Sequence, residues 1–276
     1  MEKRKLAVAG TGMVGGALAR SFQEQGIDIG LYDPPKGYAD VNVLRIADII
    51  FIAVPTPYYL DGRGFDDSYL HEAVQAIPTE GKVIVIKSTI IPGTTDAFQK
   101  KYPQHVFLFN PEFLTEANAD FDMKNPTRQL IGYTNMSKEH AQSILDLLPG
   151  APYQAALPAL EAELVKYYGN AFLAMRVAFA NQMYDICRAM GVDYDIVKNA
   201  AAADPRIGTS HLDIAFGGYR GYGGKCLPKD VRSLIQLSRS LGLDPVVIAA
   251  CEEYNNTLIH AQGLDVQWSV GSPERK

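Results

Sequence analysis

A short apolar run, Leu6–Ala9, leads straight into Gly10-Thr11-Gly12-Met13-Val14-Gly15 and then into a stretch of helical pattern at residues 14–25. In a strand-to-helix turn of this kind each glycine has its own task. The first makes the tight turn, the second lets the backbone approach a pyrophosphate, and the third lets helix and strand pack closely. The helix start offers unpaired N–H groups and the positive end of its dipole, which suit phosphate. Asp33 closes the second apolar run, Ile29–Tyr32, roughly 20 residues beyond the glycines, where a carboxylate takes a ribose hydroxyl. An acid there repels a 2′-phosphate, and no arginine adjoins it. The sequence therefore predicts NAD rather than NADP, held by Gly10, Gly12, Met13, Val14, Gly15 and Asp33.

The first half keeps this rhythm. Strand-like runs at residues 49–54, Val83–Ile86 and Val106–Phe109 alternate with helical stretches at 67–77 and Thr94–Lys101. The alternation predicts a Rossmann-type α/β fold, a doubly wound parallel sheet with helices on both faces. Residues 129–131 and 153–155 add edge strands around a helix at 137–148. From Ala159 to Met190 there is no proline and a single glycine, Gly169, with Gly191 as a C-terminal stop. A helix of that length spans roughly 48 Å at 1.5 Å per residue. It predicts a second, helical domain built on one long helix, with further helices at 194–203, 231–241 and 246–262. The expected organisation is a dinucleotide-binding domain over 1–157, a helical domain with a dimer interface over 158–262, and a tail over 263–276. Apolar positions on more than one face of the long helix (Leu164, Phe172, Met175, Phe179 and Met183) predict a homodimer.

Composition excludes several classes. The chain has 276 residues, 47% of them apolar and 21% charged, an ordinary globular balance. A net charge of -5 argues against nucleic acid, which needs a basic surface. No apolar run approaches the roughly 20 residues of a membrane span. The basic start at residues 1–5 precedes only four apolar residues and a glycine turn, so it reads as a first strand and not an export signal. Cys187, Cys226 and Cys251 are too few and too scattered for a disulfide framework, and a cytoplasmic location is expected. No metal site is expected.

The stretch from Gly221 to Asp230, Gly-Tyr-Gly-Gly-Lys-Cys-Leu-Pro-Lys-Asp, holds the candidate nucleophile. Pro228 suits the first turn of a helix that continues to Leu241, so Cys226 lies just before a helix N-terminus, flanked by Lys225 and Lys229. Both features favour thiolate over thiol. A lone cysteine is more often a small buried filler, and Cys187 and Cys251 read that way.

Other blocks stand in order along the chain: Lys87-Ser88-Thr89, Asn110-Pro111-Glu112-Phe113-Leu114-Thr115-Glu116, Glu163-Leu164-Val165-Lys166-Tyr167-Tyr168-Gly169-Asn170, and Asp204-Pro205-Arg206-Ile207-Gly208. Together with the cysteine loop they resemble the UDP-glucose/GDP-mannose dehydrogenase family, and the Asp204 block resembles its UDP-glucose members in particular. The resemblance runs from the first strand to about residue 262. It implies oxidation of a nucleotide sugar's primary alcohol to a carboxylate in two hydride transfers, with a cysteine holding the intermediate as a thiohemiacetal and then a thioester. Cys226 would be the nucleophile. Lys166 and Asn170, four apart on one helix, would stabilise the oxyanion. Asp230, helped by Thr89, would position a water or take a proton. Glu116 would serve thioester hydrolysis, and Thr89 and Glu116 would also contact the cofactor. Glu112, Phe113, Leu114 and Gly223 would line the sugar site, and Arg206 would reach into the neighbouring subunit's site. Singly, each has a plainer reading: Lys166 as a surface side chain, Glu112 and Glu116 as solvated acids, Asp230 as a first-turn acid favoured by the helix dipole.

Two features depart from the family pattern. The segment between Asp33 and Ala47 is short, where the family has a longer, helix-containing excursion. The family also continues, after the part matching residues 246–262, into a third domain that grips the nucleotide. The sequence stops at Lys276, so the expectation is a shortened form. Rival readings are a 3-hydroxyacid or 6-phosphogluconate type dehydrogenase, which needs no cysteine nucleophile, and a non-catalytic NAD-binding dimer module.

Overall fold

The computed structural model describes residues 4–265. In chain order the elements are β1 (Leu6–Ala9), α1 (Met13–Glu24), β2 (Ile29–Tyr32), α2 (Asn42–Ile46), β3 (Ile49–Ile52), β4 (Tyr58–Tyr59), β5 (Gly64–Phe65), α3 (Ser68–Gln75), β6 (Val83–Ile86), α4 (Thr94–Lys101) and β7 (Val106–Phe109). There follow α5 (Ala119–Lys124), β8 (Arg128–Tyr133), α6 (Ala141–Leu145), β9 (Tyr153–Pro158), α7 (Ala159–Met190), α8 (Tyr194–Ala202), β10 (Ala215–Phe216), β11 (Tyr219–Arg220), α9 (Leu227–Ser240) and α10 (Val246–Ala261). The chain divides into two compact units, one holding the residues up to Thr56 plus Asp66–Lys166, the other Pro57–Phe65 plus the chain from Tyr167 onward. Of the tail expected from residue 263, residues 266–276 lie outside the described residues. Among the described residues no helix is long and apolar enough to cross a membrane.

The first unit is a seven-stranded sheet in the order β2-β1-β3-β6-β7-β8-β9. Its inner strands are apolar at every position because both faces are covered, which removes the alternation of a half-exposed strand. Side chains on alternate positions enter different cores. Ala7, Ala9, Ile50, Ile52, Ile84, Ile86, Phe107 and Phe109 face Leu44, Leu70, Val74 and Phe98 from α2, α3 and α4. Leu6, Val8, Ile49, Phe51, Val85 and Leu108 face Leu18 and Phe22 of α1 and Ile144 of α6. Each such fully buried Ile, Leu or Phe contributes roughly 1.5–3 kcal/mol of transfer free energy.

One pairing departs from the parallel sheet that the sequence predicts: β8 runs antiparallel to β7, and β9 is parallel to β8. The connection from β7 spends its length on the loop at residues 110–118 and on α5, which is tied to α1 by the ion pairs Arg20–Asp120 and Lys124–Glu24. An antiparallel edge on an otherwise parallel sheet is a common outcome in doubly wound folds. The helix expected at 137–148 is shorter, a 3-10 turn at Lys138–His140 followed by α6.

In the second unit, two small cores lie along the later turns of α7. Ala174 and Val177 pack with Tyr222, Val231 and Ile235, and Ala180 and Cys187 with Tyr194, Ala202 and Leu212. The helix α7 ends where its sequence says it should. Gly191 takes a left-handed φ of 70°, and the amide of Val192 donates to the carbonyl of Cys187, the glycine C-cap arrangement. Asp193 then caps α8, its carboxylate accepting from the amide of Asp195 at 2.8 Å. Leu164, Phe172 and Phe179 are exposed on α7, while Met175 and Met183 are half-buried.

Candidate functional site

The glycine loop has the geometry its spacing predicts. Gly10 holds a φ of +88°, and a Cβ on it would lie 2.6 Å from the carbonyl oxygen of Ala53. A Cβ on Gly15 would lie 1.9 Å from the oxygen of Gly10, so only glycine lets α1 press against the turn. A Cβ on Gly12 would meet no atom within 4 Å, so that face of the loop is open. Gly12 is the N-cap of α1, with no side-chain cap and no acid in the first turn, leaving the opening N–H groups of the helix for a phosphate. Met13 is exposed and Val14 half-buried in that turn. The Asp33 carboxylate sits at the loop, its Oδ2 accepting from the amide of Thr11 at 2.7 Å and its hydroxyl at 2.8 Å. These residues fit a dinucleotide: an open glycine, a helix start and a carboxylate converge.

The same unit holds a buried charge cluster. Lys166, 4% exposed, donates from Nζ to the Glu112 carbonyl and to its Oε1, each at 2.8 Å. The other carboxylate oxygen of Glu112 accepts from the amide of Leu114 at 2.9 Å. Burial pushes the Glu112 carboxyl up, but the Lys166 charge and hydrogen bond, the Leu114 amide and the Lys87 charge outweigh it, and the carboxyl is held below its usual range. Lys87, at the end of β6, is 3% exposed and donates to Oδ1 of Asn110. Asn110 in turn donates to Gln129 Oε1 at 2.9 Å and to the Leu130 carbonyl at 2.8 Å. Beside this cluster, Phe113 stacks under the Arg128 guanidinium, 3.7 Å from the ring centroid.

Further along α7, one turn beyond Lys166, Asn170 donates from Nδ2 to Oδ2 of Asp230 at 2.5 Å. Lys229 donates to Oδ1 of the same carboxylate at 2.6 Å. Asp230, 1% exposed, thus has one partner on each oxygen. Cys226 is the N-cap of α9, with Pro228 inside the first turn. Gly223 approaches Tyr219 so closely that a Cβ would lie 2.3 Å from its hydroxyl. Tyr222, just before, is buried and fixed by Asn255 through both backbone groups and by Glu252 at its hydroxyl.

Of the other residues singled out in the sequence, Thr89 is half-buried and accepts at its carbonyl from the Thr56 hydroxyl. Glu116 is exposed at the start of a 3-10 turn. The Arg206 side chain is 88% exposed and turned back on Asp204. Three partners were not legible in advance. Lys87 joins the Glu112 cluster; the sequence marked it as the start of the Lys87-Ser88-Thr89 block and as a lysine following a wholly apolar strand, but not as a partner of Glu112. Glu163 reaches from α7 to cap the start of α4, accepting from the amides of Gly93 and Thr95 and from the Thr95 hydroxyl. Arg176 donates to the carbonyls of Ile207, Gly208 and Ser210, holding the loop that carries Arg206.

The cysteines differ in setting. Cys187 is 3% exposed in a core. Cys251 is half-buried and burial pushes its thiol up to about 11. Cys226 stands at a helix N-terminus, which favours a thiolate. Limited alkylation near neutral pH, followed by mass mapping, is therefore expected to label Cys226 first. Preferential labelling of Cys187 or Cys251 would contradict this ranking.

Fold and glycine loop together define an NAD-binding α/β protein, and comparison with known proteins narrows the class. Residues 36–147 match the NAD binding domain of the UDP-glucose/GDP-mannose dehydrogenase family, and residues 160–257 match its central domain. A UDP-glucose 6-dehydrogenase of Bacillus subtilis, TuaD, is 35% identical over 300 residues, covering 91% of this chain and 63% of that protein. A UDP-glucose 6-dehydrogenase of Pseudomonas aeruginosa is 34% identical over 226 residues, covering 77% of this chain and 49% of that protein. Among solved structures, a UDP-glucose dehydrogenase from Pyrobaculum islandicum superposes with a TM-score of 0.80 at 29% identity, covering 95% of this chain and 72% of that one. The chain belongs to the UDP-glucose/GDP-mannose dehydrogenase family, and its cofactor is NAD. It spans between about half and two-thirds of the length of these two curated relatives.

Proposed function

We propose that this chain oxidises the C6 primary alcohol of a nucleotide sugar of the UDP-glucose type to the carboxylate. The observation that carries the reading is Cys226 at the N-cap of α9, with Lys229 and Asp230 in the first turn of the same helix and Asn170 of α7 donating to Asp230. NAD, when bound at the glycine loop, supplies the hydride acceptor. The C6 alcohol first loses a proton and a hydride to become the aldehyde. Cys226 adds as thiolate to the aldehyde carbon and the oxygen takes a proton, giving a thiohemiacetal, and loss of a second hydride, to a second NAD, and of a proton leaves a thioester. Water then adds to the thioester carbon, and the thiol leaves with the acid released. Asp230, helped by Thr89, positions a water or takes a proton, Asn170 and Lys166 offer donors to the oxyanion, and Glu116 serves the hydrolytic step. Glu112, Phe113, Leu114 and Gly223 line the sugar site, and Arg206 serves the neighbouring subunit. A reducing cytoplasm suits a reaction whose nucleophile must remain a thiolate.

The test follows NADH formation with UDP-glucose, GDP-mannose and UDP-N-acetylmannosamine in parallel. Turnover of UDP-glucose with two NADH formed per acid supports the reading. No turnover of any of the three at high concentration contradicts it.

The exposed apolar side chains of α7, Leu160, Leu164, Tyr168, Phe172, Phe179, Ile186 and Met190, recur at helical spacing along one stripe. Such a stripe is more apolar than a solvated helix face and fits a second copy of the chain. A homodimer is expected in light scattering at micromolar concentration, and Phe172→Asp with Phe179→Asp is expected to shift it to monomer. A wild-type monomer at that concentration would contradict the dimer.

A further inference from the structure

The reaction proposed above gives no task to Lys87, yet Lys87 is the most completely enclosed cation beside the Glu112–Lys166 pair. The residue is 3% exposed, and its ammonium donates to the side chain of Asn110, the residue that begins the loop carrying Glu112. Asn110 is itself fully buried and spends both amide protons on Gln129 and Leu130 of β8. The chain of contacts runs from the end of β6, through Lys87 and Asn110, into the first turn of the loop and across to the neighbouring strand. Buried polar chains in which every member has a partner fix one conformation, because breaking any link strands the next group without water.

The charges point the same way. Two ammonium groups, Lys87 and Lys166, face one carboxylate, Glu112, inside protein. Lys87, Lys166 and Glu112 taken together carry one more positive than negative charge, in a place where burial disfavours any charge. Natural chains seldom enclose a lysine unless it serves a neighbour.

We infer that Lys87 is a positioning residue: through Asn110 it fixes the loop at residues 110–114 and so orients Glu112 to hold Lys166. Lys87 belongs to the groups whose charge lowers the Glu112 carboxyl. Burial is the main influence on Lys87 itself, with Glu112 opposing it and Lys166 adding to it, and together they bring its ammonium down to about 8. The arrangement therefore loses a proton in the mildly alkaline range. Above that range Glu112 loses one of its two cations while the Asn110 contact changes from charged to neutral.

The kinetic half of this inference rests on the dehydrogenase reading; the titration half does not. The experiment compares the full chain with Lys87→Met and Lys87→Gln, the second of which keeps a neutral donor for Asn110 should the first fold poorly. Glutamate side chains are labelled with carbon-13 at the carboxyl, and the Glu112 signal, assigned by Glu112→Gln, is titrated by NMR. The Glu112 midpoint is expected to rise by about one pH unit in both variants, because a nearby positive charge has gone. With UDP-glucose and NAD, kcat at pH 7 is expected to fall about tenfold or more, with KM for NAD within about twofold of wild type. The wild-type decline of kcat as pH rises through about 8 is expected to vanish in both variants. An unchanged Glu112 midpoint would overturn the inference, as would kcat profiles that superimpose on wild type. If the wild-type chain turns over no sugar nucleotide, the dehydrogenase reading fails, and the Glu112 titration alone still decides the role of Lys87.

Discussion

Cys226→Ala is expected to reduce acid formation from the sugar nucleotide by about 10³-fold or more, while NAD affinity stays within about twofold of wild type. The argument begins with the helix. Cys226 is the N-cap of α9, so its sulfur lies at the end of the helix where N–H groups lack intrahelical partners and the dipole is positive. That setting favours the thiolate, the form that attacks a carbonyl carbon. If Cys226 carries the acyl group as proposed, alanine removes that covalent route, and the first hydride transfer then yields an aldehyde that goes no further. The glycine loop and Asp33, proposed above to hold NAD, lie in the other unit and are untouched by the substitution. The measurement pairs a coupled assay for uronic acid with calorimetric titration of NAD, and a carbonyl reagent reports any aldehyde that accumulates. Acid formation within tenfold of wild type would remove the covalent step from the proposal. Loss of NAD affinity in the same variant would show that the substitution disturbs more than the thiol.

The strands of the sheet centre and the long helix were legible because each leaves a local mark. A strand covered on both faces is apolar at every position, as β1, β3 and β6 are. A helix of 32 residues leaves a long stretch without proline and a terminal glycine, and α7 runs over Ala159–Met190 as the sequence predicts. The direction of β8 left no such mark, since it depends on where the connection from β7 travels and not on the strand's own side chains. The split at 137–148 was hidden for a related reason: 3-10 and α-turns share a similar apolar spacing over so few residues.

At the site, pairs on one element were legible and pairs across elements were not. Lys166 and Asn170 are four apart on α7, so their spacing placed them on one side of a helix, and Pro228 placed Cys226 just before the start of α9. The contact of Lys87 with Asn110 joins two adjacent strand ends 23 residues apart in sequence. Glu163 meets Thr95 across 68 residues. Nothing local records these meetings; they follow from how β6, β7, α4 and α7 pack. Arg206 is exposed and pairs with Asp204 two residues away, and Glu116 is exposed at a 3-10 turn, so the roles proposed for them rest on the sequence blocks that carry them and not on long-range contacts.

Lys166→Met is expected to destabilise the folded chain by about 3–5 kcal/mol, in addition to lowering activity. Lys166 is 4% and Glu112 8% exposed, so the pair has left water almost completely. Each charge is tolerated there because the other is 2.8 Å away. Methionine fills a similar volume but leaves the Glu112 carboxylate with the Leu114 amide and the more distant Lys87 charge. The pH dependence gives the sign. In the wild type the Glu112 carboxyl is held below its ordinary value, so its contribution is fully present above the unfolded value and is lost as pH falls through the folded one. In the variant, burial is no longer outweighed and the carboxyl moves up, so acidification protonates it and relieves the penalty. The gap in stability between wild type and Lys166→Met should therefore narrow steadily from pH 7 toward about pH 4.5. Adding Glu112→Gln should recover most of the stability at pH 7, since an amide costs far less to bury than an unpaired carboxylate, while turnover stays at the level of the single variant. Chemical denaturation of wild type, both singles and the double at three pH values forms a complete double-mutant cycle. A gap that is constant with pH would place the cost in lost packing and not in the stranded charge. Restored turnover in the double variant would remove Lys166 from the reaction.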